Sequence, residues 1–454
     1  MNKPDWISEA FFYHIYPLGL CNAPAQNDFS TPPVNRLAIL QEWIPHLKSL
    51  GVNAVYLGPI LESISHGYDT VDYQNVDRRL GSNEDFANLV DVFHQNGIRV
   101  ILDAVFNHVG RQFPAFLDVQ QRGQSSEYQG WFSGLDFSQP SPMGDPFTYH
   151  TWDGQYNLVK LNLQNPAVCS LLLNAAQSWF RNWHIDGLRL DAIDQLDLDF
   201  LRQLHQAVLA CSPEAWLMGE AVHGDYTIWA NPEMVHSITN YECYKGLYSS
   251  HNDQNLFEIA YALNRQSGSS GLYRHLSLYN FVDNHDVTRI ASILNRPEYL
   301  NTLYILLFTI PGVPSLYYGS EWGMPGEKGA YSDQALRPAL DIHHAQTHPN
   351  RPDLLPFLQH LSAIRQTHAA LKWGDYQELW VQNKQFAFLR NTGEEQILVA
   401  INIADEPAHL SLQVPLYGKT WADLLHANQQ WNTDANTLAL DVPPYTGRIL
   451  RATD

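Results

Sequence analysis

From about residue 10 to about residue 370 the sequence alternates short apolar runs with segments of helical period, and this alternation limits the fold more than any other feature. The apolar runs are 11–16, 53–57, 99–103, 187–191, 216–219, a short one around Ser237, 279–282 and 315–318. Helices are predicted over 37–50, 84–96, 166–183, 198–210 and 298–308. Gly51 and Gly97 stop the first two, and Pro166 opens the third, the positions at which each residue type suits a helix end. Eight strands alternating with helices predict a closed parallel (β/α)8 barrel of the TIM type.

Two stretches depart from the rhythm. Residues 107–160 are long and rich in Gly, Pro and Ser, and a stretch of that length inside a compact domain is usually a functional excursion. Beyond Trp373 the period changes to that of short alternating strands, as in Gln385-Phe-Ala-Phe-Leu389, Gln396-Ile-Leu-Val-Ala-Ile401 and His409-Leu-Ser-Leu-Gln413. With Asn391-Thr-Gly-Glu394 as a hairpin turn, these predict an antiparallel β-sandwich domain. The expected division is a barrel over 1–108 and 161–373, an insertion after its third strand over 109–160, and a C-terminal β domain over 374–454.

Charge and cysteine usage narrow the function classes. A net charge of −20 disfavours nucleic acid and anionic membrane surfaces as partners, because both attract basic patches. Cys21, Cys169, Cys211 and Cys243 lack metal-type spacing and read as reduced thiols. The first ten residues hold no long apolar stretch, and the most apolar segment, 303–310, is ended by Pro311 and is too short to span a bilayer. A cytoplasmic protein is expected. The 13 Trp and 23 Tyr suit sugar stacking, although most such residues fill a large core.

Three of the apolar runs lead into acids: Gly187-Leu-Arg-Leu-Asp191, Trp216-Leu-Met-Gly-Glu220 and Phe281-Val-Asp-Asn-His-Asp286. In a barrel the C-terminal strand ends face the active site, and Asp103, Asp191, Glu220 and Asp286 all fall there. Arg189 shares a strand face with Asp191 and is expected to hold it ionised, as a nucleophile requires. Glu220 has no cation beside it in sequence, an environment that favours the protonated form of a general acid. A split pair of carboxyls is the apparatus of a retaining glycosidase, and Asp286 would bind sugar hydroxyls and favour the oxocarbenium-like state.

These strings resemble the conserved regions of glycoside hydrolase family 13, the α-amylase family. Asp103-Ala-Val-Phe-Asn-His108 is similar to the first region, Gly187-Leu-Arg-Leu-Asp191-Ala to the second, Gly219-Glu220 to the acid/base region and Phe281-Val-Asp-Asn-His-Asp286 to the transition-state region. Gly51-Val-Asn-Ala-Val-Tyr-Leu-Gly-Pro59 and Gly312-Val-Pro-Ser-Leu-Tyr-Tyr-Gly319 match flanking signatures. The resemblance implies that the excursion is a domain B walling the cleft and that the tail is a domain C. It implies that His108 and His285 bond to the sugar in subsite −1 and that Tyr68 stacks on it. It also offers Asp69 and Arg289 as a pair that either closes off the cleft, as in exo-acting relatives, or only braces it. Asn107 stands where many α-amylases bind calcium, with Asp145 and Asp153 as further oxygen donors; for Asn107 a bond between domain B and barrel is the preferred role. No cofactor is implied for the chemistry.

Leu158-Val-Lys-Leu-Asn162 and Gly219-Glu-Ala-Val-His223 resemble the neopullulanase, cyclomaltodextrinase and maltogenic amylase branch, with Val222 in place of a Trp. That branch usually begins with an extra β domain, whereas here the first strand is expected at Phe11, so monomer or homodimer stays open. The expected function is retaining cleavage of α-1,4 bonds in neutral malto-oligosaccharides or cyclic dextrins, with transglycosylation as a variant. The alternatives are an exo-acting α-glucosidase, an α-1,6 or mixed-linkage glucosidase, and a non-catalytic relative used for binding. An aldolase- or isomerase-type barrel would need a late phosphate-binding glycine loop or a Schiff-base lysine, and neither is evident.

Overall fold

Alternate residues of each short strand point into one closed ring, and that ring organises the molecule. The computed structural model describes residues 3–330, 332–415 and 420–453; Met1 and Asn2, at the head of the segment expected to carry no leader, lie outside them. The barrel strands are β1 (Phe12–Ile15), β2 (Ala54–Leu57), β3 (Arg99–Ala104), β4 (Gly187–Leu190), β5 (Trp216–Gly219), β6 (Ser237–Ile238), β7 (Tyr279–Asn280) and β8 (Val313–Tyr317). All pair in parallel, in the order β7-β8-β1-β2-β3-β4-β5-β6. A parallel bridge from Thr239 to Tyr279, with the Asn240 N–H donating to the Tyr279 carbonyl at 2.8 Å, closes the ring.

Period-two alternation then sorts every strand. Phe12, Ala54, Tyr56, Ile101, Trp216, Met218, Tyr279 and Val313 share one buried cluster that fills the barrel. Their neighbours Tyr13, Ile15, Val55, Leu57, Val100, Leu102, Leu188 and Leu217 pack outward in the main core with the helices. Trp216 lies stacked on Phe12 at 5.2 Å. Gly187 makes room for that packing, since a Cβ there would come within 2.2 Å of the Trp216 carbonyl oxygen. Gly187→Ala would therefore push β4 from β5 at the base of the site.

The helices follow local chemistry. A Ser82–Asp85 capping box opens Asn83–Gln95, Asn165 caps Pro166–Trp183, and Asp197 caps Leu198–Cys211. The single helix expected over 37–50 is instead two, Ile39–Glu42 and Ile44–Leu50, because Pro45 lacks an N–H and belongs in a first turn. Two helices between β6 and β7, Tyr241–Asn252 and Phe257–Ser267, have no counterpart in the sequence expectation.

After β3 the chain forms a three-stranded antiparallel sheet, His108–Gly110 against Gln155–Lys160 against Thr151–Trp152, together with the helix Pro114–Arg122. The C-terminal region is antiparallel throughout, with a six-stranded and a two-stranded sheet around Leu398, Leu412, Trp421 and Leu440. The helix Tyr299–Thr309 is buried along nearly its whole length because it runs between the barrel and that region, packing on Gln396–Asn402 and Thr446–Thr453. The barrel with its C-terminal antiparallel domain is thus the architecture expected. Among the described residues no helix is long and apolar enough to cross a membrane.

Candidate active site

The alternation that buries apolar side chains low in the barrel delivers polar ones at its C-terminal mouth. Ile101 is followed on the same face by Asp103, Gly187 by Arg189 and Asp191, and Met218 by Glu220. β4 and β5 run in register with Arg189 beside Met218, so the guanidinium lies between two strand ends. Arg189 is 2% exposed and faces three carboxylates: Asp103 at 2.7 Å, Asp191 at 2.9 Å and Glu220 at 2.7 Å. The expectation that Glu220 lacks a cation is corrected here. Sequence adjacency hid the partner, because Arg189 reaches it across the sheet.

The backbone around these acids is under constraint. Ala192, directly after Asp191, sits in the left-handed region at φ 44°, which costs a non-glycine residue on the order of 1 kcal/mol or more. Gly219, directly before Glu220, is required because a Cβ there would lie 2.4 Å from the Ile193 side chain. The Ile193 N–H in turn donates to the Glu220 carbonyl at 3.0 Å. The two acids are thereby locked to each other through their main chains.

Burial pushes the Asp191 carboxyl well above the usual aspartate range; Arg189 opposes this, while Glu220, Asp103 and Asp286 add to it. Arg189 therefore favours the ionised form of Asp191, as expected, but works against burial and three neighbouring acids. One guanidinium is shared among three acids, so the ionisation of Asp191 is coupled to that of its neighbours. Asp286 behaves in the opposite way. Burial works against its charge, but His285 at 2.9 Å and Arg337 at 2.7 Å hold its carboxyl well below the usual range.

Tyr68 and His285 lie face to face at 5.5 Å with rings 2° from parallel, and the Tyr68 hydroxyl bonds to both His285 Nε2 and Asp103. His108 is buried against Trp152, with Nδ1 next to the Asn107 amide at 3.2 Å and Nε2 without a protein partner. Burial lowers its pKa to about 4, so the ring is neutral near pH 7 and free to bond a hydroxyl. Asp69 and Arg289 are not brought together as a pair. Asp69 accepts from the Ser65 N–H and hydroxyl. Arg289 is fully buried, donates to the Tyr318 and Leu336 carbonyls at 2.7 and 3.0 Å, and stacks on Tyr317.

The calcium donors do not assemble. The Asp145 carboxylate is taken by Arg111 at 2.7 and 2.8 Å, by Ser141 and by Gln120, and against burial these hold its pKa at about 2. Asp153 is exposed on the turn between two strands. Asn107 Oδ1 is buried without a partner, but a guanidinium beside Asp145 supplies the positive charge that a cation would bring. Among the described residues no cluster of three acidic, His or Cys ligands occurs. This residue set does not fit a calcium ion.

Five residues escaped the sequence reading. Tyr56 donates to Asp103 at 2.6 Å, and Tyr16, stacked near His285, carries Arg337 over its ring at 4.8 Å. Both tyrosines stand at or just beyond a strand end, so the strand-end rule could have found them. Arg337 comes from an irregular segment after β8, where no pattern marks it. Tyr241 donates to Glu220 at 3.0 Å, and Asn284 donates to Tyr241 at 3.1 Å.

Comparison with known proteins agrees with this arrangement. The family "Alpha amylase, catalytic domain" matches residues 36–352, and "Maltogenic Amylase, C-terminal domain" matches 376–449. A cyclomaltodextrinase from a Bacillus species is 32% identical over 88% of this chain and 73% of its own length. A solved cyclomaltodextrinase superposes with a TM-score of 0.88 at 29% identity, covering 100% of this chain and 79% of its own. The ligand-free cyclic α-maltosyl-(1→6)-maltose hydrolase of Arthrobacter globiformis superposes at 0.83 with 26% identity and full coverage of both chains. The two family matches run from ahead of β2 to the last strand of the C-terminal sheet, and on that ground the chain belongs to the α-amylase family.

Proposed function

We propose that this α-glucan hydrolase cleaves α-1,4 bonds of malto-oligosaccharides and cyclic dextrins with retention, through a glycosyl-enzyme on Asp191. The observation that carries the reading is the attachment of Asp191 and Glu220 to one guanidinium, with Asp286 held separately by His285 and Arg337. Two carboxyls sharing one guanidinium are compatible with the separation of about 5–5.5 Å that a retaining mechanism uses. Asp191 attacks the anomeric carbon while Glu220 gives its proton to the departing glycosidic oxygen. Glu220 then takes a proton from water, and that water releases the sugar from Asp191. A sugar hydroxyl in place of water gives transglycosylation by the same steps.

Asp286, ionised and bridged by His285 and Arg337, is suited to bind hydroxyls of the distorted ring. Tyr68 offers a stacking face, and His108 and His285 face the same sugar. Arg289 acts as a brace for the segment that carries Arg337, which weakens an exo-blocking role for it with Asp69. The insertion over 109–160 walls the cleft as domain B, and 374–454 forms domain C. Four unpaired thiols, three of them buried, suit the reducing cytoplasm as its location. A mixed-linkage reading is favoured by one observation, the end-to-end match with a hydrolase whose name carries a 1→6 linkage.

The test is a time-resolved product profile on maltohexaose, β-cyclodextrin and panose, with Asp191→Asn as the blank. Rapid opening of β-cyclodextrin to short malto-oligosaccharides supports the reading. Preferential cleavage of the α-1,6 bond of panose would favour the mixed-linkage enzyme, and stepwise glucose release from maltohexaose alone would overturn the cyclic-dextrin assignment.

A further inference from the structure

Glu220 is held by a directed hydrogen-bond chain that starts in the loop carrying Asp286. The Asp286 N–H donates to Asn284 Oδ1 at 2.8 Å, which fixes the orientation of the amide. Asn284 Nδ2 then donates to the Tyr241 hydroxyl at 3.1 Å. With a lone pair occupied by that amide, the Tyr241 proton points at its acceptor, Glu220 Oε1, at 3.0 Å. Both intermediate residues are buried, at 9% and 8% exposure. Tyr241 is anchored by the N-terminus of the helix Tyr241–Asn252 and by edge-on packing against Phe281 at 5.0 Å.

We infer that Tyr241 and Asn284 are positioning residues for the acid/base step, a relay that orients Glu220 and ties it to the Asp286 loop. The inference rests on the reading of Glu220 as acid/base. Burial, together with the charges of Glu220 and Asp286, raises the Tyr241 hydroxyl well above its usual range, so it stays a neutral donor throughout the working pH range. Its hydrogen bond is made to the carboxyl that must give a proton in the first half of the cycle and accept one from water in the second. The relay thus sets the balance between giving the proton and taking it back. The other charged or titratable groups facing this point are Arg189 and Asp191 from the end of β4, Tyr56 from β2 and Asp286 from the loop after β7.

The experiment compares pH profiles of kcat/KM for the parent, Tyr241→Phe, Asn284→Ala, Glu220→Gln and the double variant Tyr241→Phe/Glu220→Gln, on maltohexaose and on an activated aryl α-maltoside. Tyr241→Phe is expected to lower kcat/KM on maltohexaose by about tenfold, the size of one charge-assisted hydrogen bond. The loss on the aryl substrate should be much smaller, because its leaving group needs little protonation. Removing a donor to the charged form moves the high-pH limb upward, by about half to one pH unit. Asn284→Ala should shift it the same way by less, and Tyr241→Phe should add nothing in the Glu220→Gln background. Equal losses on both substrates with an unmoved limb in Tyr241→Phe, while Glu220→Gln keeps its leaving-group dependence, would overturn the relay alone. Equal losses on both substrates in Glu220→Gln would instead overturn the acid/base reading beneath it.

Discussion

Arg189 and Arg289 are both buried arginines near the mouth of one barrel, and their surroundings could hardly differ more. The direct partners of Arg289 are neutral: two backbone carbonyls, the Ser320 hydroxyl and the face of Tyr317 at 3.9 Å. The acid acting on it, Asp283, is bonded to that Ser320 hydroxyl and not to the guanidinium. Arg189 meets Asp103, Asp191 and Glu220, all within 3 Å, and one positive charge cannot satisfy three acids. The first arrangement ties a loop to the wall of the barrel. The second leaves carboxyls in competition at the mouth of the barrel, the condition under which a proton is readily moved. Residue type and burial are alike in the two places; the partners decide whether the group braces or reacts.

The largest effect that would sharpen this contrast is at Asp191. Asp191→Asn should lose about four orders of magnitude in kcat or more, because no covalent intermediate forms. Turnover within tenfold of the parent would remove the nucleophile assignment. Glu220→Gln should follow, with a loss of about 10²–10⁴-fold on maltohexaose and far less on an activated aryl maltoside, as general acid catalysis requires.

On the bracing side, Arg289→Met should cost about 2–4 kcal/mol of stability, since buried carbonyls lose their donors, and kcat/KM should change much less than in the two variants above. A fall in activity as deep as that of Asp191→Asn, with the melting temperature unchanged, would break the comparison.

The smallest effect concerns pH. The Asp191 carboxyl is raised on folding, so the folded chain holds a proton that the unfolded chain releases above about pH 4. That group therefore costs stability increasingly as pH rises from about 4 toward its folded pKa. Asp191→Asn should melt a degree or more above the parent at pH 7, and the gap should close below about pH 3, where the carboxyl is neutral in both the folded and the unfolded chain. Asp286 has the reverse sign. Its depressed carboxyl stabilises the fold above about pH 4 and loses that contribution as pH falls below it, a loss that Arg337→Met should make shallower.

Much of this was legible in the sequence, for identifiable reasons. The strands carrying Asp103, Asp191 and Glu220 announce themselves as apolar runs, and period two then forces those acids to the inside of the mouth. Gly51 and Pro166 marked helix ends for the same local reasons they do in any chain. What stayed hidden depends on contacts between distant segments. The Arg189–Glu220 pair spans two strands, and the fate of Arg289 is set by carbonyls 29 and 47 residues away. The helix Pro114–Arg122 lay inside a stretch whose Gly and Pro content masked it. Arg337 has no local signal, since only the fold brings it within 2.7 Å of Asp286.

The central claim is that Asp191 becomes covalently glycosylated while its neighbours stay free. A 5-fluoro-glycosyl fluoride, with a leaving group good enough to load the enzyme and a slowed second step, would trap that state for peptide mapping by mass spectrometry. A single glycosyl adduct on the peptide bearing Asp191, absent from Asp191→Asn, is the predicted result. An adduct on Glu220 or Asp286, or continued turnover with no adduct anywhere, would contradict it.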